Sequence, residues 1–244
     1  MSTPLNPATV TDRLQAWLTT QPGPWSEARV VQARPASGGF SGTTWLVDLA
    51  HPVRVGARGS RAIDALAIRL QTTGPGVFLE EDLQRPWRVM QALDSSEVPV
   101  PHPVALETDA DVLGAPFIAM QRVAGRVPSE NPLYHREGWL HDLPAAQQEA
   151  HWMAGIGLLA RLARVDWRHR GLEALVADPQ VQTLPRQLDL GLRTLAWAEA
   201  LARPYPHLHA AHRWLVDHQP APGPVALSWA DAKLGNCVFA DDGS

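Results

Sequence analysis

The spacing of apolar and polar residues changes character near residue 125 of this 244-residue chain. Before that point apolar residues occur in short β-rich runs, whereas after it they recur at the three- and four-residue steps of helices. Strands are predicted over 28–33, 43–49, 65–70, 104–107 and 116–123, and helices over 6–18, 78–93, 144–165, 184–202 and 207–218. This segregation predicts an α+β fold with two lobes, 1–124 and 125–244.

Local signals refine the predicted helices. Asn6 followed by Pro7 is typical of a helix N-terminus, and Pro86 predicts that the second helix starts or kinks there. The helix over 144–165 carries a set of apolar residues on one side, which predicts a core helix. Its members are Trp152, Ile156, Leu159, Ala160 and Ala163.

Two connecting segments carry their own expectations. Segment 51–61 is rich in glycine and arginine and predicts a loop. Segment 126–143 is polar and irregular. A solvent loop is favoured for it, with a substrate-facing insert at the lobe junction as the alternative.

Composition and charge limit the class of protein. With 45% hydrophobic and 19% charged residues and a formal charge of −4, there is no electrostatic reason to expect nucleic acid or an anionic membrane as a partner. The single cysteine, Cys237, excludes an intramolecular disulfide. The N-terminus has no apolar signal region, and no run of about eighteen apolar residues occurs, so a cytoplasmic protein is expected.

A glycine-rich turn separates the first two predicted strands. After Ser37 it reads Gly38, Gly39, Phe40, Ser41 and Gly42. Glycine permits positive φ and close backbone approach, so the turn could fold over phosphates and offer its N–H groups. Taken alone, the segment is better explained as a tight turn between the two strands of a hairpin. A Walker A loop is excluded, because no Gly-Lys-Ser/Thr follows.

The strand over 65–70 contains one cation, Arg69, among apolar residues. Burying that charge without a partner would cost several kcal/mol, so either a partner or a solvent-facing edge position is expected. Asp82 is a candidate partner one helical turn before Pro86. A solvated acidic start of the second helix explains Asp82 slightly better.

The segment 227–239 carries the strongest chemical signal. An apolar run precedes Asp231, Lys233 follows two residues on, Asn236 lies five residues after the acid, and apolar residues return. This order predicts a strand, a polar turn and a strand. The acid-to-amide spacing is that of the protein-kinase catalytic loop, in which the Asp takes the substrate hydroxyl proton and the Asn holds a metal ion.

Charged residues of the helical lobe have structural explanations. Arginines cluster where the helix over 144–165 ends, which the helix dipole favours over attraction of an acidic substrate. His209 and His212 stand at i and i+3 and could share a metal ion. Because no carboxylate or cysteine lies at matching local spacing, a solvated helix face is the better interpretation.

In chain order, these features resemble the aminoglycoside phosphotransferase-like family. These kinase-like phosphotransferases include the phosphotransferase domains joined to acyl-CoA dehydrogenases. The resemblance covers nearly the whole chain from about Val30 onward. The residues that carry it are 38–42, 66–69, 87–93, 113–120, 165–167, 171–172 and 228–239.

The resemblance implies a bilobal protein-kinase-like fold and a phosphotransferase. It would move the γ-phosphate of ATP or GTP, with Mg²⁺, to a hydroxyl of a small molecule such as an aminoglycoside-like sugar or a hydroxyacyl compound. Asp231 would be the catalytic acid–base residue and Asn236 a magnesium ligand. Lys233 would steady the transferred phosphoryl group.

The resemblance also implies a nucleotide side for the site. Arg69 would take the place of the cation that touches the nucleotide phosphates. The turn from Gly38 to Gly42 would lie over those phosphates. Residues 120–123 would form the hinge, in which Gln121 and Val123 hold the adenine by backbone hydrogen bonds.

The sequence departs from the family pattern at three places. Trp229 and Ala230 replace the usual His-Gly before the catalytic Asp, and Pro86 stands where a helix glutamate is usual. The sequence ends at Ser244, before the strand that in the family carries a second magnesium-binding Asp, so an incomplete helical lobe and reduced activity are expected. The alternatives are an inactive pseudokinase and an unrelated α+β binding module.

Overall fold

One antiparallel sheet organises the first part of the chain. The computed structural model describes residues 6–36, 44–56, 60–72, 82–175, 183–221 and 223–240, and within them five strands have the order β1-β2-β3-β5-β4. Two helices accompany the sheet, and the predicted α+β class is confirmed. The bounds are α1 Pro7–Thr19, β1 Val30–Pro35, β2 Thr44–Val55, β3 Arg61–Leu70, α2 Gln84–Leu93, β4 Pro103–Glu107 and β5 Phe117–Gln121.

The core of this sheet part, residues 6–124, lies where the sheet meets α1. Val47 of β2, Ile68 of β3 and Phe117 of β5 have no exposed surface. The ring of Phe117 meets that of Trp17 in α1 edge to face, at 5.0 Å between centroids. Because burying one such side chain contributes about 1.5–3 kcal/mol, this layer holds α1 on the sheet.

The first helix begins as its sequence predicts. Asn6 Oδ1 accepts a hydrogen bond from the Thr9 N–H at 2.8 Å, and Pro7 occupies the start of the helix. Leu14 and Leu18 then fall on the buried face of α1. A capped start and an apolar stripe together fix this helix.

The prediction of a loop over 51–61 is wrong, because β2 continues to Val55 and β3 begins at Arg61. Val53 and Val55 are buried, and they pair with Ile63 and Arg61 across the hairpin. Alternate apolar residues therefore extend both strands, although polar residues stand between them.

Helix α2 begins at Gln84, slightly before the predicted start, and Pro86 lies in its first turn. A proline there removes an N–H that has no intrahelical partner, so the helix is not interrupted. Asp82 Oδ1 accepts a hydrogen bond from the Gln84 N–H at 2.7 Å. The structure thus supports Asp82 as part of the helix start rather than as a partner of Arg69.

The helical part, residues 125–240, contains α3 Ala145–Ala163, α4 Thr183–Leu201 and α5 Pro206–Asp217. The prediction that α3 is a core helix is wrong. Trp152 is 53% exposed and Ile156 is 43% exposed, and His151 is the buried residue of this helix. The helical period is present, but the face that carries Trp152 and Ile156 is exposed in the described chain.

His209 and His212 fasten α5 to α4, instead of forming a solvated face or a metal site. His209 Nε2 is hydrogen-bonded to Glu199 Oε2 at 2.9 Å, and His212 Nε2 donates to the Leu188 carbonyl at 3.0 Å. Glu199 also accepts from the Tyr205 N–H, and these hydrogen bonds, that from Tyr205 first, lower the pKa of Glu199.

Arg170, one of the clustered arginines, joins the helical part to the sheet part. Its Nη1 donates to the carbonyl of Ala92 at 2.8 Å, near the C-terminal end of α2, where the helix dipole favours a cation. The guanidinium of Arg168 stacks on Trp167 at 4.2 Å. Both contacts are made within the protein, but neither is with the C-terminal end of α3, whose dipole is the explanation that the sequence predicts. Among the described helices, none has the length and apolar character needed to cross a bilayer.

Candidate functional site

The loop that precedes Phe239 gathers residues that the sequence singles out. A 3₁₀ turn, Leu234–Asn236, brings Asn236 back towards Asp231. The Asn236 Nδ2 donates to the backbone carbonyl and to Oδ2 of Asp231, at 2.9 Å each. The amide therefore fixes the carboxylate, whose side chain remains 76% exposed and open to a ligand.

The predicted strands on either side of this loop do not form. Residues 225–229 are irregular, and in the described chain Phe239 makes an isolated antiparallel bridge to Arg126. The bridge needs Gly125, because a Cβ there would lie 2.4 Å from the Phe239 carbonyl oxygen and the φ of Gly125 is +141°. A close backbone approach thus replaces a strand.

Lys233 lies between two carboxylates. Its Nζ is 2.8 Å from Oε1 and 3.0 Å from Oε2 of Glu130, and 3.6 Å from Oδ2 of Asp231. The hydrogen bond to Glu130 is the main cause of a pKa of Lys233 above its ordinary value of 10.5. Lys233 is therefore a cation at neutral pH. Glu130 is a site residue that the sequence pattern does not reveal, because it lies in the segment interpreted as a solvent loop.

An aromatic cluster forms the wall behind the loop. The ring of Phe239 lies 5.0 Å from that of His151 and 6.3 Å from that of Trp139. The guanidinium of Arg126 stacks over Trp139 at 4.4 Å. Segment 126–143 is therefore packed against the loop, and the solvent-loop interpretation is wrong for this portion of it.

Cys237 is packed against this cluster, and its thiol is not activated as a nucleophile. Burial raises the pKa of its thiol, and its Sγ is 3.7 Å from the Lys233 carbonyl oxygen. Because the thiolate is the reactive form, Cys237 is suited to packing rather than to nucleophilic catalysis.

Arg69 lies in the sheet, away from the loop along the chain. It pairs with Thr44 of β2 and Ile118 of β5 and is half-buried. Among the described residues, no ion pair to Arg69 is present. Thr44 is the first described residue after the glycine-rich turn, and the predicted phosphate-covering residues Gly38, Gly39, Phe40, Ser41 and Gly42 lie outside the described residues.

The predicted hinge follows β5. Gln121 donates its backbone N–H to the His102 carbonyl at 2.8 Å, so this donor is already used. Val123 is 39% exposed, and among the described residues its N–H makes no backbone hydrogen bond. Val123 stands two residues before Gly125, which contacts Phe239. The predicted hinge is thus joined to the loop that carries Asp231 through the backbone contact between Arg126 and Phe239.

The donor atoms near Asp231 suit one edge of a magnesium site. The Nδ2 of Asn236 donates its hydrogen bonds to Asp231. In the described chain no hydrogen-bond donor contacts the Oδ1 of Asn236, so this oxygen is available to a metal ion. Carboxylate and amide oxygens are ligands that Mg²⁺ accepts, usually together with phosphates and water. No cluster of three or more His, Cys, Asp or Glu suited to a metal ion occurs among the described residues. Asn236 therefore fits a metal held mainly by a substrate.

Two cavities border the loop on its α3 side. One has a volume of about 130 Å³ and is lined by Trp152, Ile156, Trp229 and Lys233 among others. The other has a volume of about 350 Å³ and reaches from Tyr134 to Glu149. The first is lined largely by apolar side chains, whereas the second also has His135, His141, Gln148 and Glu149 in its lining.

Comparison with known proteins supports the resemblance that the motifs carry. The model of the phosphotransferase enzyme family, APH, matches residues 32–244. Acyl-CoA dehydrogenase family member 11 of Gallus gallus is 29% identical over 181 residues, which cover 72% of this chain and 21% of that protein. Acyl-CoA dehydrogenase family member 10 of Mus musculus is 26% identical over 174 residues, which cover 71% and 15%. The chain thus spans under a quarter of the length of these relatives.

A solved structure shares the fold. The crystal structure of a protein from Ralstonia eutropha, assigned as an aminoglycoside phosphotransferase, aligns with a TM-score of 0.59 and 23% identity. The alignment covers 94% of this chain and 60% of that one. The predicted kinase-like fold is confirmed.

Proposed function

The chain belongs to the phosphotransferase enzyme family, and on that premise we propose that it transfers the γ-phosphate of ATP or GTP to a hydroxyl group of a small molecule. The acceptor is an aminoglycoside-like sugar or a hydroxyacyl compound. The observation that supports this most directly is the exposed Asp231 carboxylate, held by Asn236 at 2.9 Å with Lys233 at 3.6 Å. Phosphoryl transfer depends mainly on such positioning and charge.

Asp231 is the residue that meets the acceptor. Its carboxylate orients the hydroxyl and takes its proton as the oxygen attacks the γ-phosphorus. The bond from that phosphorus to the oxygen shared with the β-phosphate breaks, and the nucleoside diphosphate leaves. Asn236 holds that carboxylate in place through two hydrogen bonds. Because the carboxylate of Asp231 is already held in place, it needs no reorganisation when the acceptor binds, and this lowers the free-energy barrier of phosphoryl transfer.

The cations divide the phosphate charge between them. Lys233 faces the transferred group, because its Nζ lies beside Asp231. Arg69 contacts the nucleotide phosphates, the turn from Gly38 to Gly42 covers them, and Gln121 and Val123 hold the base. Mg²⁺, when bound with the nucleotide, neutralises phosphate charge, and the Oδ1 of Asn236 would be one of its ligands.

A nucleotide-binding protein without transferase activity is the second candidate. It is favoured by the sequence directly before Asp231, where Trp229 and Ala230 stand in place of the His-Gly that is usual in the family. Binding through Arg69 and the hinge would remain possible in such a protein, whereas transfer would be slow without full charge neutralisation.

Replacing Asp231 by asparagine tests the proposal. The experiment measures MgATP binding by calorimetry and transfer of γ-labelled phosphate to a panel of aminoglycosides and hydroxyacyl compounds. We expect Asp231→Asn to bind MgATP as the wild type does and to lose transfer by about 10²- to 10⁴-fold, because a general base is lost. Asp217→Asn, at an exposed carboxylate that ends α5, is the matched control.

The outcomes separate the candidates. Transfer by the wild type and by Asp217→Asn, but not by Asp231→Asn, supports the phosphotransferase. Binding of MgATP without transfer to any acceptor supports the second candidate. A wild-type protein that binds neither ATP nor GTP contradicts both.

A further inference from the structure

Lys233 is the only lysine in the sequence, whereas all the other cations among its 21 Lys and Arg residues are arginines. A lysine ammonium is a compact point charge on a flexible stem, unlike the planar guanidinium of arginine. A flexible cation contributes to a reaction only if something holds it in the right place. The structure shows what holds it.

Glu130 grips the ammonium group with both carboxylate oxygens, at 2.8 and 3.0 Å from Nζ. Its own position is fixed by the tight turn that follows it, in which the Tyr134 N–H donates to the Ser129 carbonyl at 2.9 Å. Four residues before Glu130, the bridge between Arg126 and Phe239 ties the same segment to the catalytic loop. Glu130 is therefore built into the same frame as Lys233.

Gly235 makes room for this grip. A Cβ at that position would lie 2.6 Å from Oε1 and 2.9 Å from Cγ of Glu130. The side chain of Glu130 thus crosses directly over the backbone of the catalytic loop on its way to Lys233. An incidental surface ion pair does not require a neighbouring residue that lacks a side chain.

We propose that Glu130 is a positioning residue of the catalytic loop, which holds the ammonium group of Lys233 beside Asp231 before the phosphoryl donor binds. This role rests on the proposed phosphotransferase function. Glu130 acts through Lys233, since its two oxygens are directed to Nζ. Preorganisation of this kind affects the rate of transfer more than the binding of nucleotide.

The kinetic arm of the test compares Glu130→Gln with Glu137→Gln, an exposed glutamate of the same segment. We expect Glu130→Gln to lower kcat by about 10- to 100-fold with little change in the KM for ATP, because a misplaced cation still carries its charge. Glu137→Gln should stay within about twofold of the wild type. Glu130→Asp, which is shorter by one methylene, should recover part of the loss.

A double-mutant cycle shows whether Glu130 acts through the lysine. In a Lys233→Met background, Glu130→Gln should have no further effect on kcat. A merely structural role would give the same loss in both backgrounds, and that result would overturn the proposal. So would a kcat of Glu130→Gln equal to that of the wild type.

A second arm needs no activity and uses the single lysine. Protein labelled with ¹³Cε-lysine gives one side-chain NMR signal, whose shift follows the protonation of Nζ. In the wild type its titration midpoint should lie above the ordinary value, and in Glu130→Gln it should move down towards that value. Identical midpoints would refute the pairing. If the wild type transfers no phosphate but the midpoint moves, the proposed function fails while the contact between Glu130 and Lys233 stands.

Discussion

The sheet part and the helical part carry similar apolar residues with opposite results. Ile68 and Trp17 of the sheet part are 0% and 5% exposed, whereas Ile156 and Trp152 of the helical part are 43% and 53% exposed. The difference is that the sheet is covered by α1, whereas the face of α3 that carries Trp152 and Ile156 remains exposed in the described chain. A stripe of apolar residues specifies a helix or strand, but it lowers the free energy of the folded protein only where another layer of the structure buries it.

The candidate site stands on the less buried part. The buried apolar cluster at the loop that carries Asp231 comprises Leu140, Leu234 and Phe239 in the described chain. The loop is therefore held chiefly by directed contacts: the amide of Asn236, the carboxylate of Glu130 and the backbone bridge to Phe239. Such contacts fix atoms well but contribute little free energy each.

The largest expected effect comes from removing the same atoms in each part. Ile68→Ala should lower the free energy of unfolding by about 2–5 kcal/mol, because it leaves a cavity in a closed core. Ile156→Ala should cost less than about 0.5 kcal/mol, because its side chain is already hydrated. Urea unfolding of both variants measures the difference. A loss at Ile156 as large as that at Ile68 would show that α3 is covered in solution and would break the comparison.

The next effect concerns the bridge behind the loop. Gly125→Ala should cost about 3 kcal/mol, because its Cβ meets the Phe239 carbonyl oxygen at 2.4 Å and its φ is +141°. Gly138→Ala shares a positive φ, +99°, but meets nothing within 4 Å, so it should cost about 1 kcal/mol.

Thermal unfolding and nucleotide binding of both glycine variants provide the measurement. The difference between them isolates the steric clash from the backbone strain that they share. Equal costs would mean that the bridge contributes nothing to the stability of the helical part.

The smallest effect compares one carboxylate from each part. Asp94 is bonded to Arg61 at 2.6 Å and to His102 at 2.9 Å, whereas Asp189 pairs with Arg193 on an open face of α4. Partial burial would raise the pKa of Asp94, but the hydrogen bonds from Arg61 and His102 hold it below its ordinary value of 3.8. We expect Asp94→Asn to cost about 1.5 kcal/mol at pH 7, and Asp189→Asn less than about 0.5 kcal/mol.

The pH dependence gives this prediction its sign. Because the pKa of Asp94 is lower in the folded than in the unfolded protein, its contribution is present above the unfolded pKa and is lost as the pH falls through the folded pKa. The stability gap between the wild type and Asp94→Asn should therefore close in acid. A gap that stays constant from pH 7 to pH 3 would argue against an ionised Asp94.

Local chemistry could be predicted from the sequence, and it accounts for much of the fold. Asn6 and Pro7 predict the start of α1, because a helix cap acts on the residues next to it. Asp231 and Asn236 predict a polar loop, because a single turn brings the two residues together. Each signal lies within a few residues of the structure that it specifies, so the surrounding fold hardly changes it.

What the sequence could not reveal depends on distant parts of the chain. Glu130 stands 103 residues from Lys233, and no spacing links them. The exposure of Ile156 depends on whether another layer covers α3, which a helical period cannot state. The continuation of β2 to Val55 depends on its partner strand, since glycine and arginine nearby suggest a loop.

These separations also order the folding of the molecule. The β2–β3 hairpin joins residues as close in the chain as Val55 and Arg61, whereas the contacts of Arg170 with Ala92 and of Lys233 with Glu130 span 78 and 103 residues. Closing longer loops costs more chain entropy and slows their formation. On refolding, the sheet should therefore form before the loop that carries Asp231 and Lys233 reaches its place beside Glu130.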